Sequence, residues 1–72
     1  MKYTIVIEQI PRNFSAYAPD LPGCVATGAT REDVVREMRA AITFHIESLR
    51  EHQEVVPDSR CTAAVVEIAA AG

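Results

Sequence analysis

The sequence predicts an α+β domain in which three antiparallel strands precede one long helix and a fourth strand follows it. Three observations lead to this prediction. Apolar residues alternate in two short runs near the N-terminus, residues 31–52 repeat their apolar side chains at helical spacing, and a β-branched run follows residue 62. A chain of 72 residues is sufficient for one small domain. We therefore expect residues 1–72 to form a single unit of order β-β-β-α-β.

The first two strands are predicted to form a hairpin. Residues 2–10 are rich in β-branched side chains that alternate between two faces, and residues 14–18 alternate again. Between these runs, Pro11 and Asn13 indicate a turn, because proline fixes one backbone angle and asparagine tolerates the left-handed conformation.

A loop and a short third strand come next. The run from Pro19 to Gly23 predicts a loop, because two prolines fix backbone angles and Gly23 permits unusual ones. Residues 24–27 are short and mostly apolar, and Gly28 ends them, so we place the third strand there. Leu21 is the one large apolar residue of the loop, and it either closes the edge of the core or is presented to a partner.

The clearest element is a helix over residues 31–52. Thr30 is predicted to cap it, since a threonine hydroxyl can accept hydrogen bonds from first-turn N–H groups. The predicted helix is about 33 Å long, whereas a six-residue strand spans about 20 Å. The helix should therefore extend beyond a small sheet and offer apolar surface to a partner. At about 100° per residue, one face collects Val34, Val35, Met38, Ala41, Ile42, Ile46 and Leu49.

The segment after the helix is predicted to end in a fourth strand. Residues 53–62 are mostly polar and serve as a connection. Residues 63–71 could form a strand or a helix, and two adjacent valines and an isoleucine favour the strand. The single charge in this strand is Glu67, so an unpaired edge would promote aggregation. We therefore expect the strand to be paired within the sheet or across an oligomer interface. One of its faces collects Ala64, Val66 and Ile68.

Charge and size restrict the classes of function. Seven basic residues against ten acidic ones give a net charge of −3, and a protein that neutralises phosphates needs an excess of positive charge. We therefore expect no direct binding of nucleic acid by this chain alone. So short a chain also leaves little material for the deep cleft of a two-domain enzyme. Small domains usually need added stabilisation, and self-association as a dimer or tetramer is the form we expect.

The cysteines and the hydropathy pattern predict a soluble cytoplasmic protein. Cys24 and Cys61 are too few for a disulfide framework, and their separation is unlike a metal site, so both are expected to be free thiols in a reducing compartment. The apolar run after Lys2 is too short for a signal peptide, and no stretch is long enough to span a membrane.

The loop and helix motifs together resemble the N-terminal domain of the HicB-like antitoxin family. They occur in the order in which that family carries them, over about residues 3–57. Many members add a C-terminal DNA-binding domain, for which we expect no room after Ala71. Ala29 also replaces the aspartate that commonly precedes the capping threonine. The motifs are Asp20-Leu21-Pro22-Gly23-Cys24, Gly28-Ala29-Thr30, Ala41-Ile42 and His45-Ile46-Glu47.

The resemblance implies a fold, a partner and a mechanism. The fold would be a partial RNase H fold. The partner would be a small basic toxin of the HicA type that cleaves mRNA, and the antitoxin would block it by covering its active site. A stand-alone homo-oligomeric binding or scaffold module without a toxin is the alternative. The predicted contact residues for a partner or oligomer are Leu21, Phe44, His45, Leu49, Val66 and Ile68.

Catalytic interpretations are weaker, so we predict no enzyme activity, metal or cofactor. An RNase H-like nuclease would hold Mg²⁺ between carboxylates, and the candidates are Glu8, Asp20 and Glu67. Two further candidates are a pair of histidines, His45 and His52, and the Cys24 thiol. The histidines lie two helical turns apart, too far for a compact metal site, and no His–Asp arrangement accompanies the thiol.

Overall fold

A computed structural model describes residues 1–70 and contains a three-stranded antiparallel sheet and one helix. The strands are β1 (Val6–Ile10), β2 (Asn13–Tyr17) and β3 (Val25–Gly28), and the helix is α1 (Arg31–Glu51). The sheet order is β1-β2-β3, so β2 is central. The predicted α+β class and the order of these first four elements are confirmed.

The hairpin of β1 and β2 is tighter at its turn than the sequence indicated. Ile10 pairs with Asn13, so two residues form the turn, and Arg12 adopts a left-handed φ of 78°. The expectation that Asn13 would be the left-handed residue is wrong. The ring of Pro11 suits the first corner of such a turn, which leaves the positive angle to Arg12.

The first strand is shorter than predicted, beginning at Val6 instead of residue 2. Its partner limits it, because Tyr17 is the last residue of β2 and pairs with Val6. After Tyr17 the chain turns into the loop, so residues 1–5 have no neighbouring strand on that side.

Two successive turns close the loop between β2 and β3. The Leu21 N–H donates to the Ala18 carbonyl at 3.1 Å, and the Cys24 N–H donates to the Leu21 carbonyl at 3.0 Å. Pro22 and Gly23 form the corners of the second turn, and Gly23 has a φ of 82°, as a type II turn requires. The two turns direct the Leu21 side chain inward, where it is completely buried.

The start of α1 is fixed by a cap and by a close contact with β3. The Thr30 side chain accepts a hydrogen bond from the Asp33 N–H at 3.1 Å, which confirms the predicted cap. Gly28, the last residue of β3, passes so close that an added Cβ would lie 2.5 Å from the backbone nitrogen of Val34. The absence of a side chain at Gly28 therefore sets the separation of sheet and helix.

The end of α1 has a left-handed residue that is not glycine. The helix ends at Glu51, one residue before the predicted end, and His52 caps it. Gln53 adopts a φ of 56°, its N–H donates to the Arg50 carbonyl, and the Glu54 N–H donates to the Leu49 carbonyl. This is the bonding pattern of a Schellman motif, in which glycine is the usual left-handed residue.

The core lies between α1 and the β2–β3 side of the sheet. It is small, as the length of the chain predicts, and the apolar stripe of α1 faces it as expected. Side chains of β1 and of the N-terminal segment, including Tyr3, Ile5 and Ile7, pack against its border and remain half-buried. The buried side chains are Ala16, Ala18, Leu21, Cys24, Val34, Met38 and Ile46.

The predicted fourth strand is not found in the described part of the chain. Residues 54–70 form no strand, and residues 62–70 are exposed throughout; residue 71 of the predicted strand lies outside the described residues. A strand requires a hydrogen-bonded neighbour, and this segment pairs with no strand within residues 1–70. Local β propensity was therefore an insufficient basis for predicting a strand here.

We expect Gly28→Ala to destabilise the fold by about 1–3 kcal/mol, the usual cost of overpacking. The added methyl would collide with backbone atoms of α1, which cannot rotate away as a side chain can. Chemical denaturation measures this loss. Thr27→Ala, at an exposed position of the same strand, is the control and should cost less, and equal losses for both variants would contradict the steric explanation.

We expect Gln53→Gly to stabilise the protein by about 0.5–1 kcal/mol, because glycine adopts the left-handed conformation without a Cβ penalty. Glu51→Gly, two residues earlier and within α1, should instead destabilise by about 0.5–1 kcal/mol. Thermal unfolding of the two variants tests the opposite signs, and the explanation fails if both variants lower the melting temperature.

Candidate functional site

An acidic strip with an aromatic residue at its centre runs along the solvent side of α1. Phe44 is 74% exposed, and Glu37 and Glu51 lie seven residues before and after it, on the same side of the helix. Ala40 and Glu47 lie one turn away on the same side. All five side chains are exposed, and we call them the acidic strip.

The acidic strip has the composition of a contact surface. It faces away from the buried side of α1, which carries Val34, Met38 and Ile46, so the fold does not cover Phe44. An exposed aromatic ring among charges is typical of an anchor that becomes buried in a complex. The flanking carboxylates favour a partner of positive charge.

A second surface is an open groove between α1 and the N-terminal segment. Its volume is about 600 Å³. Tyr3, Ile5 and Ile42 supply apolar walls, and Arg39 and Arg50 stand at the helix side. The groove exists because α1 packs on β3 and β2, which leaves the side of the sheet next to β1 uncovered.

The Asp20 carboxylate holds the segment after the helix against the loop. Its Oδ2 accepts hydrogen bonds from the N–H groups of Arg60 and Cys61, both at 2.9 Å, and its Oδ1 accepts one from the Cys61 thiol at 3.3 Å. We call this group of contacts the Asp20 latch. It fixes the base of the C-terminal segment on the loop between β2 and β3.

Two side chains of the N-terminal segment strengthen this attachment. The Tyr3 hydroxyl donates to the Pro57 carbonyl at 2.6 Å, and the Thr4 hydroxyl donates to the Cys61 carbonyl. Residues 57–61 are therefore bound to the body at several points, in contrast to the exposed residues that follow.

The latch shifts the pKa values of both side chains that form it. The N–H groups of Cys61 and then Arg60 hold the pKa of Asp20 below its ordinary value, because they stabilise the carboxylate. The Asp20 carboxylate raises the pKa of the Cys61 thiol, first by accepting its hydrogen bond, and burial adds to the rise. Both shifts favour a charged Asp20 bonded to a protonated Cys61.

The structure places the predicted contact residues in four settings. Leu21 lies in the core and has no exposed surface. His45 and Leu49 are half-buried, one turn apart on α1, while Phe44 is in the acidic strip. Val66 and Ile68 are exposed on the C-terminal segment, two residues apart. Phe44, Val66 and Ile68 are therefore the candidates with free apolar surface.

The catalytic alternatives gain no supporting geometry within residues 1–70. No group of three or more His, Cys, Asp or Glu side chains converges there, so Glu8, Asp20 and Glu67 form no cluster. Burial raises the pKa of Cys24, which disfavours the thiolate that a nucleophile requires. The His52 Nδ1 lies 2.7 Å from the Ser48 carbonyl.

Two further findings concern the thiols and the helix. Both cysteines are free thiols, Cys24 buried and Cys61 half-buried. In the described part of the chain, no helix is both long enough and apolar enough to cross a lipid bilayer.

Sequence reasoning missed the latch and the groove. Asp20 was considered as a loop residue or a nuclease ligand, and its partners lie forty residues further along the chain. No local pattern identifies a carboxylate that binds so distant a backbone. The groove depends on where α1 crosses the sheet, which is a tertiary property. The acidic strip was predicted in part, because Phe44 at its centre was among the predicted contact residues.

Comparison with known proteins identifies one family and a few relatives. Residues 3–70 match the family described as a HicB-like antitoxin of a bacterial toxin–antitoxin system. A UPF0150 protein of Thermoplasma acidophilum is 36% identical over 79% of this chain and 84% of its own length. A UPF0150 protein of Synechocystis is 38% identical over 74% of this chain and 70% of its own length.

The third relative is a longer protein. An uncharacterized 14.9 kDa protein from the rep-hol intergenic region of Haemophilus phage HP1 is 37% identical over 82% of this chain. The match covers 44% of that protein, so the chain spans less than half of its length. No solved structure matches the chain.

We expect Asp20→Asn to release residues 60–61 and to lower the pKa of the Cys61 thiol towards its ordinary value. Cys61 should then react severalfold faster with a thiol reagent at neutral pH, because the thiolate is the reacting form. Asp58→Asn is the control, since Asp58 is an exposed carboxylate of the same segment. Equal reaction rates in wild type and Asp20→Asn would contradict the latch.

The latch should also give the stability of the bound segment two pH limits. The pKa of Asp20 is lowered on folding, so its contribution is complete above the ordinary value of about 3.9 and is lost as pH falls through the lowered value. The pKa of Cys61 is raised, so its contribution is complete below about 8.5 and is lost as pH rises through the raised value. Amide exchange of Cys61 measured across pH, corrected for intrinsic rates, tests both limits.

Proposed function

The chain belongs to the HicB-like antitoxin family of bacterial toxin–antitoxin systems, and on this basis we propose that it neutralises a small basic toxin of the HicA type by direct protein contact. Membership of an antitoxin family indicates a non-catalytic regulatory role and a toxin partner in general terms. The finer proposal is that the partner is an RNA-cleaving protein whose active site becomes covered.

The acidic strip is the surface that we assign to the toxin. A protein that binds RNA presents positive charge to the phosphates, and the three glutamates of the strip offer the opposite charge. The exposed ring of Phe44 supplies an anchor that can be buried among them. The exposure of this large aromatic side chain at the centre of the strip is the observation that carries the proposal.

The overall charge acts in the same direction. A net charge of −3 raises the encounter rate with a basic partner and disfavours nucleic acid as a competing one. We also propose a cytosolic location, because two free thiols suit a reducing compartment.

A second candidate function is a stand-alone homo-oligomeric binding or scaffold module. The exposed apolar side chains of residues 65–68 favour it, since they require a cover whether or not a toxin exists. The two candidates differ in one observable property, because only the antitoxin inhibits a ribonuclease.

The test is inhibition of RNA cleavage. The tagged chain is expected to retain one small basic protein from its native cytosol in equimolar amount. That protein, once separated, should cleave RNA, and the chain should inhibit the cleavage. If only copies of the chain itself are retained, or if the basic protein leaves RNA intact, the antitoxin proposal is wrong.

Phe44→Ala then tests the location of the contact. We expect it to weaken inhibition by about 30-fold, which corresponds to a loss of about 2 kcal/mol at an interface anchor. Val25→Ala removes apolar surface from another exposed side chain, on β3, and should leave inhibition unchanged. Unchanged inhibition by the Phe44→Ala variant would move the contact away from the acidic strip.

A further inference from the structure

Residues 63–70, which we call the tail, expose apolar surface that this chain does not cover. Val65 is fully exposed, and Val66 and Ile68 are 73% and 77% exposed. The backbone is equally unprotected, since none of these residues belongs to a strand or helix. An extended β-branched segment in this state is prepared for pairing with a strand edge.

The tail leaves the body from a fixed point. The Asp20 latch and the Thr4 hydroxyl both hold Cys61, two residues before the tail begins. The longest dimension of the molecule is 55 Å, whereas the 21 residues of α1 account for about 32 Å. The tail therefore projects from the body, and it does so from an ordered base.

The open groove has the length that the tail requires. Along α1 the groove extends from Val35 to Arg50, which corresponds to about 22 Å. The eight residues of an extended tail measure about 26 Å. One edge of β1 has no partner strand in the part of the chain that the structure describes. Its backbone N–H and carbonyl groups can therefore form hydrogen bonds with an added strand beside the groove.

The side-chain pattern of the tail matches the two sides of this site. Tyr3 and Ile5 face the core, so a strand added beside them can direct Val66 and Ile68 onto the same apolar side. Glu67 then points to the opposite side of the sheet, as alternation requires.

We propose that the tail of one copy of this chain adds as a strand beside β1 in the groove of a second copy, and that the exchange is reciprocal. A two-fold dimer forms the same contact twice, so both tails and both grooves are covered at once. Glu47 borders both surfaces, because it also lines the groove, whereas Phe44 at the centre of the acidic strip is not part of the groove and remains free. The exchange is therefore independent of the toxin proposal.

The first experiment measures the mass of the full chain in solution. We expect the wild type to be a dimer by light scattering at tens of micromolar, and Ile68→Asp to weaken dimerisation by at least tenfold. Val65→Asp is the matched control, because Val65 lies on the outward side with Glu67, and it should remain dimeric. The helical signal in circular dichroism should be equal in all three proteins.

The second experiment locates the tail. In a mixture of differently isotope-labelled copies, filtered NMR should give contacts between the Ile68 methyl groups of one copy and those of Ile5 or Ile42 of the other. A monomeric wild type, a dimer insensitive to Ile68→Asp, or contacts confined to one copy would each overturn the exchange. Phe44→Ala should leave the dimer intact, so failure of this proposal and failure of the antitoxin proposal are distinguishable.

Discussion

The contact between Gly28 and the first turn of α1 is the constraint on which the arrangement of this molecule depends. A glycine at the end of β3 lets the helix backbone approach the sheet more closely than any side chain would allow. The helix is consequently placed over β3 and β2, and Val34 and Met38 reach the core there. The same placement leaves the β1 side uncovered, which creates the groove.

The sequence predicted the elements whose cause is local. The alternation of the hairpin, the cap at Thr30 and the apolar stripe of α1 each arise from residues within a few positions of one another, and the structure agrees with them. The start of β1 was misplaced because it depends on where the partner strand ends at Tyr17. The predicted fourth strand is absent from the described residues for a related reason, since strand propensity cannot supply the neighbouring strand that pairing requires.

The candidate site was predictable only in part. Phe44 could be identified from helical spacing, and Leu21 was correctly considered as a possible core residue. The role of Asp20 could not be found, because its partners are backbone groups far away in sequence, whose positions exist only after folding. The residues of the run from Asp20 to Cys24 divide four physical tasks between them: binding Cys61, filling the core, shaping the turn and packing as a buried thiol.

The charges of α1 divide around its circumference, and this affects recognition at different distances. Glutamates surround Phe44, whereas Arg39 and Arg50 border the groove on a neighbouring side. At physiological salt the screening length is about 8 Å, shorter than the width of a helix with its side chains, about 10–12 Å. A molecule close to α1 therefore senses mainly the charges of the side that it faces, so the two sides of one helix can favour partners of opposite charge.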